Sequence, residues 1–269
     1  MNRVAFGHIH ADGVTFDEAV ALIVERAAHR QGGYVVTPNV DHVVLAETDA
    51  DLRASYRDAF LSVADGMPLL WIARWCRSPL PAKISGSDLT VPLVTAAAAA
   101  GVSVFLLGAS HETCERAIEA MTRQCPSLRV AGHASPDFTL AGDQRPVLEA
   151  CGRARDSGAG LVLVAMGCPK QEVLMHRFHG YFDGAVAIGI GGTLRFLAGE
   201  VDRCPPWMAR MGMEWLYRLV KEPRRLAGRY LVRDRAIAGI AWRQWRASRL
   251  PVRLGNEQVD PSCSDLGLK

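Results

Sequence analysis

Short apolar runs alternate with longer amphipathic stretches over the first 200 residues of the chain. Apolar runs rich in Val, Ile and Leu are typical of buried strands, whereas apolar residues recurring every three or four positions indicate helices. Strands are predicted at 34–37, 61–64, 102–107, 128–132, 161–166 and 185–190. Helices are predicted at about 15–29, 40–60, 67–76, 90–100, 111–123, 146–156 and 169–178. This alternation predicts βαβ units and an α/β fold with a mainly parallel sheet.

Polar residues follow two of these strands at their carboxyl ends. Thr37 and Asn39 follow the first apolar run, and Asp65 follows the second. The carboxyl ends of parallel strands share one rim, at which ligands bind, so we expect these three side chains to lie close together. A carboxylate on that rim can act as a general base. The local sequence supports equally well a role for Asp65 as the cap of the next helix, and the two roles can coexist.

Two loops that contain glycine also follow strands. The loop at 189–194 begins like a dinucleotide-binding fingerprint, but Leu194 occupies the position of the third glycine. The acidic residue expected about 20 positions later is also missing, which argues against a nicotinamide-dependent oxidoreductase. Backbone amides at Gly191 and Gly192 can still bind a phosphate. Gly108, in the other loop, is compatible with the approach of a nucleotide.

The segment at 166–172 combines a glycine turn, a proline and a polar first helical turn. Free amides at a helix start attract anions, and Lys170 or Gln171 could add contacts to an anionic or sugar group. The local sequence is equally consistent with an ordinary helix cap.

The net positive charge of the chain is concentrated in its C-terminal part. Residues 203–249 contain 12 Lys or Arg against 3 Asp or Glu, a net of +9, whereas the whole chain has only +3. Trp207, Met211, Trp215 and Leu219 recur every fourth residue and predict an apolar helical stripe. Basic helices with Trp and Tyr suit an anionic membrane surface, where each Lys or Arg contributes about 1 kcal/mol. A helix packed on the domain with a solvated basic face stays open as the alternative, and no nucleic-acid-binding module is recognisable.

Composition restricts the other possibilities. The seven cysteines form no CxxC pair and no metal-ligand spacing, which fits a reducing cytosol without disulfides or a zinc site. Acidic residues near the N-terminus argue against an export signal. The uncharged run at 89–110 is long enough to span a bilayer, but it is better explained as a helix, a turn and a strand.

An Asp-x-Asp pair, Asp49 and Asp51, formally matches a motif of metal-dependent glycosyltransferases. That motif requires a loop after a strand, where both carboxylates reach a metal and a diphosphate. Here the pair is predicted to lie on a solvated helical face, so no metal site is predicted.

Taken together, these motifs resemble those of the WecG/TagA/CpsF family of bacterial glycosyltransferases (glycosyltransferase family 26). The matching segments occur in family order over roughly residues 5–232: 37–39, 64–66, 85–89, 167–172, 189–192, 214–219 and 222–225. The resemblance implies a Rossmann-like sheet flanked by helices (GT-E type) with a basic helical appendage.

The resemblance also implies an activity. It is the transfer of N-acetylmannosamine, its uronic acid, glucose or a similar sugar from a UDP-sugar to a lipid-linked saccharide, usually on undecaprenyl diphosphate. Inversion at the anomeric carbon and the absence of a metal or cofactor are implied as well. Asp65 matches the catalytic base, with Thr37 as its catalytic neighbour, and Asn39 and Gln171 match residues of the same pocket. The arginines that match a surface for the membrane and the diphosphate are Arg203, Arg218, Arg224, Arg225 and Arg229.

Three positions depart from the family pattern. Lys83 stands where the family usually has Arg, so this substrate-binding position keeps its charge but loses the bidentate fork. Arg195 replaces an aspartate that often follows the Gly-Gly turn, which predicts a different donor sugar. Cys204 replaces an alanine before Pro205.

The expected organisation is an α/β catalytic domain at 1–200, a membrane-facing helical appendage at 201–250 and a disordered tail at 251–269. We expect a cytoplasmic enzyme that associates peripherally with the inner face of the cell membrane and could form homo-oligomers. A non-catalytic membrane-docking module is the remaining alternative.

Overall fold

The structure is a computed structural model that describes residues 2–205, 207–208 and 211–249, without the side chains of Arg225 and Leu231. The tail predicted at 251–269 lies outside the described residues.

Eight strands are present in this part of the chain. They are β1 (Arg3–Phe6), β2 (Ile9–Asp12), β3 (Tyr34–Val36), β4 (Leu61–Ser62), β5 (Val104–Gly108), β6 (Val130–Ala134), β7 (Leu161–Ala165) and β8 (Val186–Gly189). The last six form one sheet in the order β4-β3-β8-β7-β5-β6, and all its paired strands are parallel. The predicted α/β fold with a mainly parallel sheet is therefore confirmed. Strands β1 and β2 form a separate antiparallel hairpin.

Helices cover both faces of this sheet. They are α1 (Phe16–Ala28), α2 (Val40–Leu45), α3 (Ala50–Arg57), α4 (Met67–Trp75), α5 (Gly86–Ala99), α6 (His111–Gln124), α7 (Arg145–Asp156), α8 (Lys170–Phe178), α9 (Thr193–Leu197), α10 (Glu214–Lys221), α11 (Pro223–Gly228) and α12 (Ile237–Arg249). Successive strand residues face opposite sides of a sheet. Accordingly, Val162 and Val164 join one apolar core, while Leu161 and Leu163 join the other.

The boundaries of two predicted helices differ from those observed. The helical region at 40–60 is two helices, because Asp49 starts α3 anew by accepting a hydrogen bond from the Leu52 amide. Helix α5 begins at Gly86, earlier than predicted, because the Ser85 side chain caps it through the Asp88 amide.

The predicted stripe of Trp207, Met211, Trp215 and Leu219 does not lie on one helix. Gly212 has a φ of 73°, which places it in the left-handed region that glycine favours, and α10 begins only at Glu214. Trp207 and Met211 therefore precede the helix that carries Trp215. The chain after Pro223 is not one continuous helix either, because a π-helical turn at Arg229–Arg233 and a 3₁₀ turn at Asp234–Ala236 separate α11 from α12.

Within the described ranges, no helix is both long and apolar enough to cross a membrane. The uncharged run at 89–110 forms most of α5 and all of β5, as predicted.

Candidate active site

A cavity of about 870 Å³ opens at the carboxyl ends of β3, β4, β7 and β8 and continues under the C-terminal helices. Ten of the predicted site residues line it: Thr37, Asn39, Asp65, Lys83, Gln171, Gly191, Gly192, Arg203, Arg218 and Arg229. The sheet topology explains this convergence, since β4, β3 and β8 are neighbours and deliver their loops to one rim.

Asp65 occupies this rim directly after β4. Its backbone amide donates to the Pro38 carbonyl at 2.7 Å, which ties the loop after β4 to the loop after β3. The cap residue of α4 is Gly66, at a φ of 122°, and the Asp65 carboxylate accepts no hydrogen bond from a described amide. The alternative role of Asp65 as the helix cap is therefore wrong.

The Asp65 carboxyl is set apart by its electrostatic environment. Burial raises its pKa to about 7, and the nearby charge of Glu214 acts in the same direction. Arg218 and Lys83 oppose this shift without cancelling it. A carboxyl with this pKa can accept a proton near neutral pH, where an ordinary aspartate is too weak a base.

Cationic side chains surround the carboxyl. The Lys83 Nζ lies 2.8 Å from the Asp88 carboxylate and 3.6 Å from the Glu214 carboxylate. Arg218 pairs with Glu214 on the same helix, and Arg203 donates to the Ser87 carbonyl. The predicted cations are thus held by acidic partners around a space that has room for an anionic ligand.

Thr37 and Asn39 connect the sheet to the C-terminal helices. The Thr37 hydroxyl is buried and donates to the Gly189 carbonyl at 3.4 Å. The Asn39 Oδ1 caps α2 by accepting from the Asp41 and His42 amides, and it also accepts from Arg229 at 3.2 Å. Because Oδ1 is occupied, the side-chain NH₂ group of Asn39 (Nδ2) is the part that can contact a ligand.

Gln171 fastens two glycine loops together. Its Oε1 accepts from the Gly191 amide at 3.0 Å and from the Gly167 amide at 3.3 Å. Its Nε2 donates to Glu172 at 2.8 Å, and a Cβ added to Gly189 would stand 2.7 Å from that nitrogen. Only 2% of Gln171 is exposed, so its amide shapes the cavity wall more than it offers a contact to a ligand.

The comparison with known proteins identifies the family. The model of the glycosyl transferase WecG/TagA/CpsF family matches residues 4–251. The chain belongs to this family. A relative from Bacillus spizizenii (strain ATCC 23059 / NRRL B-14472 / W23) is 30% identical over 195 residues, which are 72% of this chain and 74% of that protein. It is named N-acetylglucosaminyldiphosphoundecaprenol N-acetyl-beta-D-mannosaminyltransferase. The resemblance noted from the motifs is confirmed, and the chain is a glycosyltransferase rather than an oxidoreductase or a docking module.

Three predicted site residues of this glycosyltransferase, Lys170, Gly108 and Arg224, do not line the cavity. The Lys170 Nζ points away and donates to the Phe138 carbonyl at 2.9 Å. Gly108 is the last residue of β5, which β7 separates from β8, and its carbonyl accepts from the Cys114 thiol. Arg224 is exposed outside the lining, and the Arg225 side chain lies outside the described residues.

The Asp-x-Asp pair has structural contacts at the start of α3. Asp49 caps α3, and Asp51 forms an ion pair with Arg177 at 2.5 Å. Their carboxylates do not line the cavity of the glycosyltransferase.

Sequence reasoning assigned no role to several residues that shape the site. Glu214 and Asp88 hold Lys83, and buried Glu172 holds Gln171; burial raises the pKa of Glu172 to about 7. All three acidic residues lie inside the segments that matched the family, which was the only signal available for them. Tyr230 also lines the cavity, where its ring lies edge-on to Trp215 at 6.2 Å.

The outer surface near the cavity exposes several large apolar side chains. Trp71, Trp75, Trp207, Met211, Trp215 and Trp242 are each between 43% and 60% exposed. The Trp75 ring stacks on Trp245 at 5.3 Å, so α4 and α12 share this surface.

Proposed function

We propose that this enzyme transfers an N-acetylmannosamine-type sugar from its UDP derivative to a lipid-linked acceptor of the N-acetylglucosaminyl diphosphoundecaprenol class, with inversion and without a catalytic metal. The main support is the Asp65 carboxyl, which has a pKa of about 7 and lies in a cavity lined by cationic side chains. The name of the Bacillus relative supplies the acceptor and the transferred sugar as the first choices to test.

The proposed reaction is a single displacement. Asp65 accepts the proton of an acceptor hydroxyl while that oxygen attacks the anomeric carbon of the donor from the opposite face. The bond from the anomeric carbon to the diphosphate oxygen breaks, and its electron pair leaves with UDP. General-base assistance of this kind accelerates a reaction by about 10²–10⁴-fold. Thr37 assists by holding the loop after β3 against the end of β8.

The departing diphosphate gains negative charge that the protein must neutralise. Lys83, Arg203, Arg218 and Arg229 all line the cavity and can provide this charge together with the amides of Gly191 and Gly192. Glu214 is the ion-pair partner of both Lys83 and Arg218. We propose that the diphosphate competes with Glu214 for these two cations.

Donor choice is proposed to depend on Arg195. This residue lines the cavity, and its guanidinium lies 3.3 Å from the Glu200 carboxylate and 3.4 Å from the Glu222 carboxylate. The two carboxylates fix its orientation at the edge of the glycine loop after β8.

We propose that residues 201–250 form an appendage that places the cavity at the inner face of the cell membrane. The exposed tryptophans and the basic residues of this region are the support. Trp rings favour the interface between water and lipid, and basic side chains are attracted to anionic headgroups. Residues 1–200 are proposed as the catalytic domain, and association into homo-oligomers is proposed from the family resemblance alone.

A UDP-release assay tests this proposal. The enzyme is incubated in EDTA with a panel of UDP-sugars, each with and without an N-acetylglucosaminyl diphospholipid. We expect release that depends on the acceptor and is fastest with UDP-N-acetylmannosamine. Release that requires added divalent metal would overturn the metal-independent mechanism, and absence of release with every donor would overturn the proposed substrate pair.

A further inference from the structure

A second group of reactive side chains lies at the inner wall of the cavity and takes no direct part in the proposed transfer. His42 on α2, and Cys168 and Glu172 at the start of α8, each direct one potential ligand atom to a common point, and these atoms lie within 4.8 Å of one another. His42 and Glu172 are buried, and Cys168 is partly buried.

A hydrogen bond at one ring nitrogen of His42 leaves its second ring nitrogen available as a metal ligand. The His42 Nδ1 lies 2.6 Å from the Tyr56 hydroxyl oxygen. If Nδ1 carries the hydrogen and donates it to that oxygen, Nε2 keeps a free lone pair. Histidines that bind metals commonly have a second hydrogen bond of this kind, which fixes both the tautomer and the ring orientation.

The carboxylate has an oxygen without a hydrogen bond. Glu172 is 0% exposed, and its Oε1 accepts from Gln171. The Cys168 thiol lies within hydrogen-bonding range of this carboxyl and lowers its pKa, but no contact to the buried Oε2 from a described residue has the distance and angle of a normal hydrogen bond. A buried polar atom without a partner is unusual and requires an explanation. A cation at the common point would provide one.

Geometry and charge both suit a soft divalent cation. Zinc binds thiolate sulfur at about 2.3 Å and imidazole nitrogen or carboxylate oxygen at about 2.0–2.2 Å, so its ligand atoms lie roughly 3.5 Å apart. Small side-chain rotations bring the three ligand atoms of the cluster, which lie within 4.8 Å of one another, to this spacing. One thiolate and one carboxylate neutralise a divalent ion, and the nearby Arg229 is already paired with Asp41 at 3.2 Å.

We propose that His42, Cys168 and Glu172 form a binding site for a zinc-class cation that restrains the transferase. His42 and Cys168 also line the substrate cavity, so the fourth coordination position faces it. A bound ion would fix the loop at Gly167 and occupy space that a substrate needs. This ion is inhibitory, in contrast to the metal that an Asp-x-Asp motif would bind for catalysis.

A second cluster provides an internal comparison. His111, Glu115 and His133 also converge, with 2.8 Å between the His111 Nδ1 and the His133 Nε2. This cluster has no cysteine, and His111 and Glu115 are exposed. An ion held there would therefore lack a bond to sulfur.

Cobalt(II) is the probe, because its bond to a thiolate produces a charge-transfer absorption that nitrogen and oxygen ligands do not. Tag-free protein is titrated with Co²⁺ and then with Zn²⁺ as competitor. We expect one ion per chain, with the thiolate band. Cys168→Ser should remove the band, and Glu172→Gln should keep it but weaken binding. Tyr56→Phe should weaken binding by about 10–100-fold through the histidine.

The matched control is Cys151→Ala, which removes a thiol that is 0% exposed in the core and should leave the band unchanged. Circular dichroism verifies that each variant is folded. If cobalt binds without the thiolate band and this binding is lost in His111→Ala, the ion lies on the surface cluster. That result would overturn the proposal. Absence of binding below about millimolar Co²⁺ would also overturn it.

The inhibitory role has its own readout. Zn²⁺ should slow UDP release by the native enzyme, EDTA should restore it, and Cys168→Ser should resist the ion. Equal inhibition of the native enzyme and of Cys168→Ser by Zn²⁺ would contradict the inhibitory role proposed for this site. Because cobalt binding is measured without substrate, failure of the transferase assay does not affect the test of the site.

Discussion

Replacing Asp65 by Asn should make the folded protein more stable above neutral pH while removing its activity. The native carboxyl has a pKa of about 7, compared with 3.8 for the same group in water. The folded protein therefore binds this proton more tightly than the unfolded chain does, and ionisation of Asp65 opposes folding.

The size of the effect follows from this pKa. Each pKa unit is worth about 1.4 kcal/mol, so the ionised carboxylate costs at most about 4 kcal/mol of folding free energy. Because the Asp65 carboxyl faces the cavity, solvent there screens its charge and reduces this cost to about 2–4 kcal/mol. The cost is absent below about pH 4, where both states are protonated, and grows as the pH rises to about 7. At about 2–4 °C per kcal/mol, Asp65→Asn should raise the melting temperature at pH 8 by roughly 5–15 °C.

The assay is thermal or urea unfolding of the native and variant proteins at pH 8 and at pH 4.5. The gain should be large at pH 8 and only about a quarter as large at pH 4.5. Asp88→Asn is the matched control. Burial is the largest single influence on the pKa of Asp88 and raises it, but the hydrogen bonds to Lys83 and Ser85 and the charges of Lys83 and Arg203 together lower it overall. That carboxylate therefore stabilises the fold when ionised, and its loss should lower stability at pH 8.

Equal stability of native and Asp65→Asn protein at pH 8, or a loss in the variant, would refute the reasoning. Either result would mean that the ionised carboxylate is well solvated or well paired, which is not the environment of a general base at neutral pH.

Four further predictions concern the cavity and the outer surface. The kcat/KM of the native enzyme should rise with pH with an apparent pKa near 7. Glu214→Gln should move this rise to lower pH because it removes a negative charge near Asp65. A pH-independent kcat/KM would contradict this prediction. Lys83→Ala should lower kcat by about 10²–10³-fold through lost stabilisation of the leaving diphosphate, while Lys83→Arg should retain most activity in the same steady-state assay. Gln171→Leu should cost about 1–3 kcal/mol of stability in urea unfolding, because two glycine amides lose their acceptor, and unchanged stability would contradict the role of this side chain. Arg224→Ala should weaken binding to anionic vesicles by about fivefold in a sedimentation assay, with no effect on neutral vesicles.

The central sheet could be predicted from sequence because the apolar runs that form it are short, β-branched and separated by amphipathic helices. The convergence of Thr37, Asn39 and Asp65 followed from one rule, that parallel strands share a carboxyl rim. That rule does not reveal strand order, so it could not show that Gly108 lies two strands away from β8.

The direction of a side chain within a motif was harder to predict. Lys170 and Gln171 are neighbours in the sequence, yet Gln171 contacts the cavity loops while Lys170 donates to the Phe138 carbonyl. Their difference arises from the helix start, where adjacent residues point about 100° apart. The charge of Lys170 therefore indicated a ligand role that its position does not support.

The C-terminal region shows a limit of periodicity. A four-residue apolar repeat predicts a helix only while the backbone continues, and Gly212 interrupts it at a positive φ. The contacts that determine the path there are tertiary, such as the ion pair of Arg229 with Asp41 on α2. Such long-range pairs have no signature in a local pattern.

The most direct test of the central claim compares native enzyme and Asp65→Asn in the formation of the glycosylated lipid, measured by mass spectrometry with UDP-N-acetylmannosamine and an N-acetylglucosaminyl diphospholipid. If Asp65 is the general base, the native enzyme forms the disaccharide lipid with one UDP released per product, and the variant is slower by about 10²–10⁴-fold while it still binds UDP. Product formation by Asp65→Asn at the native rate would contradict the account.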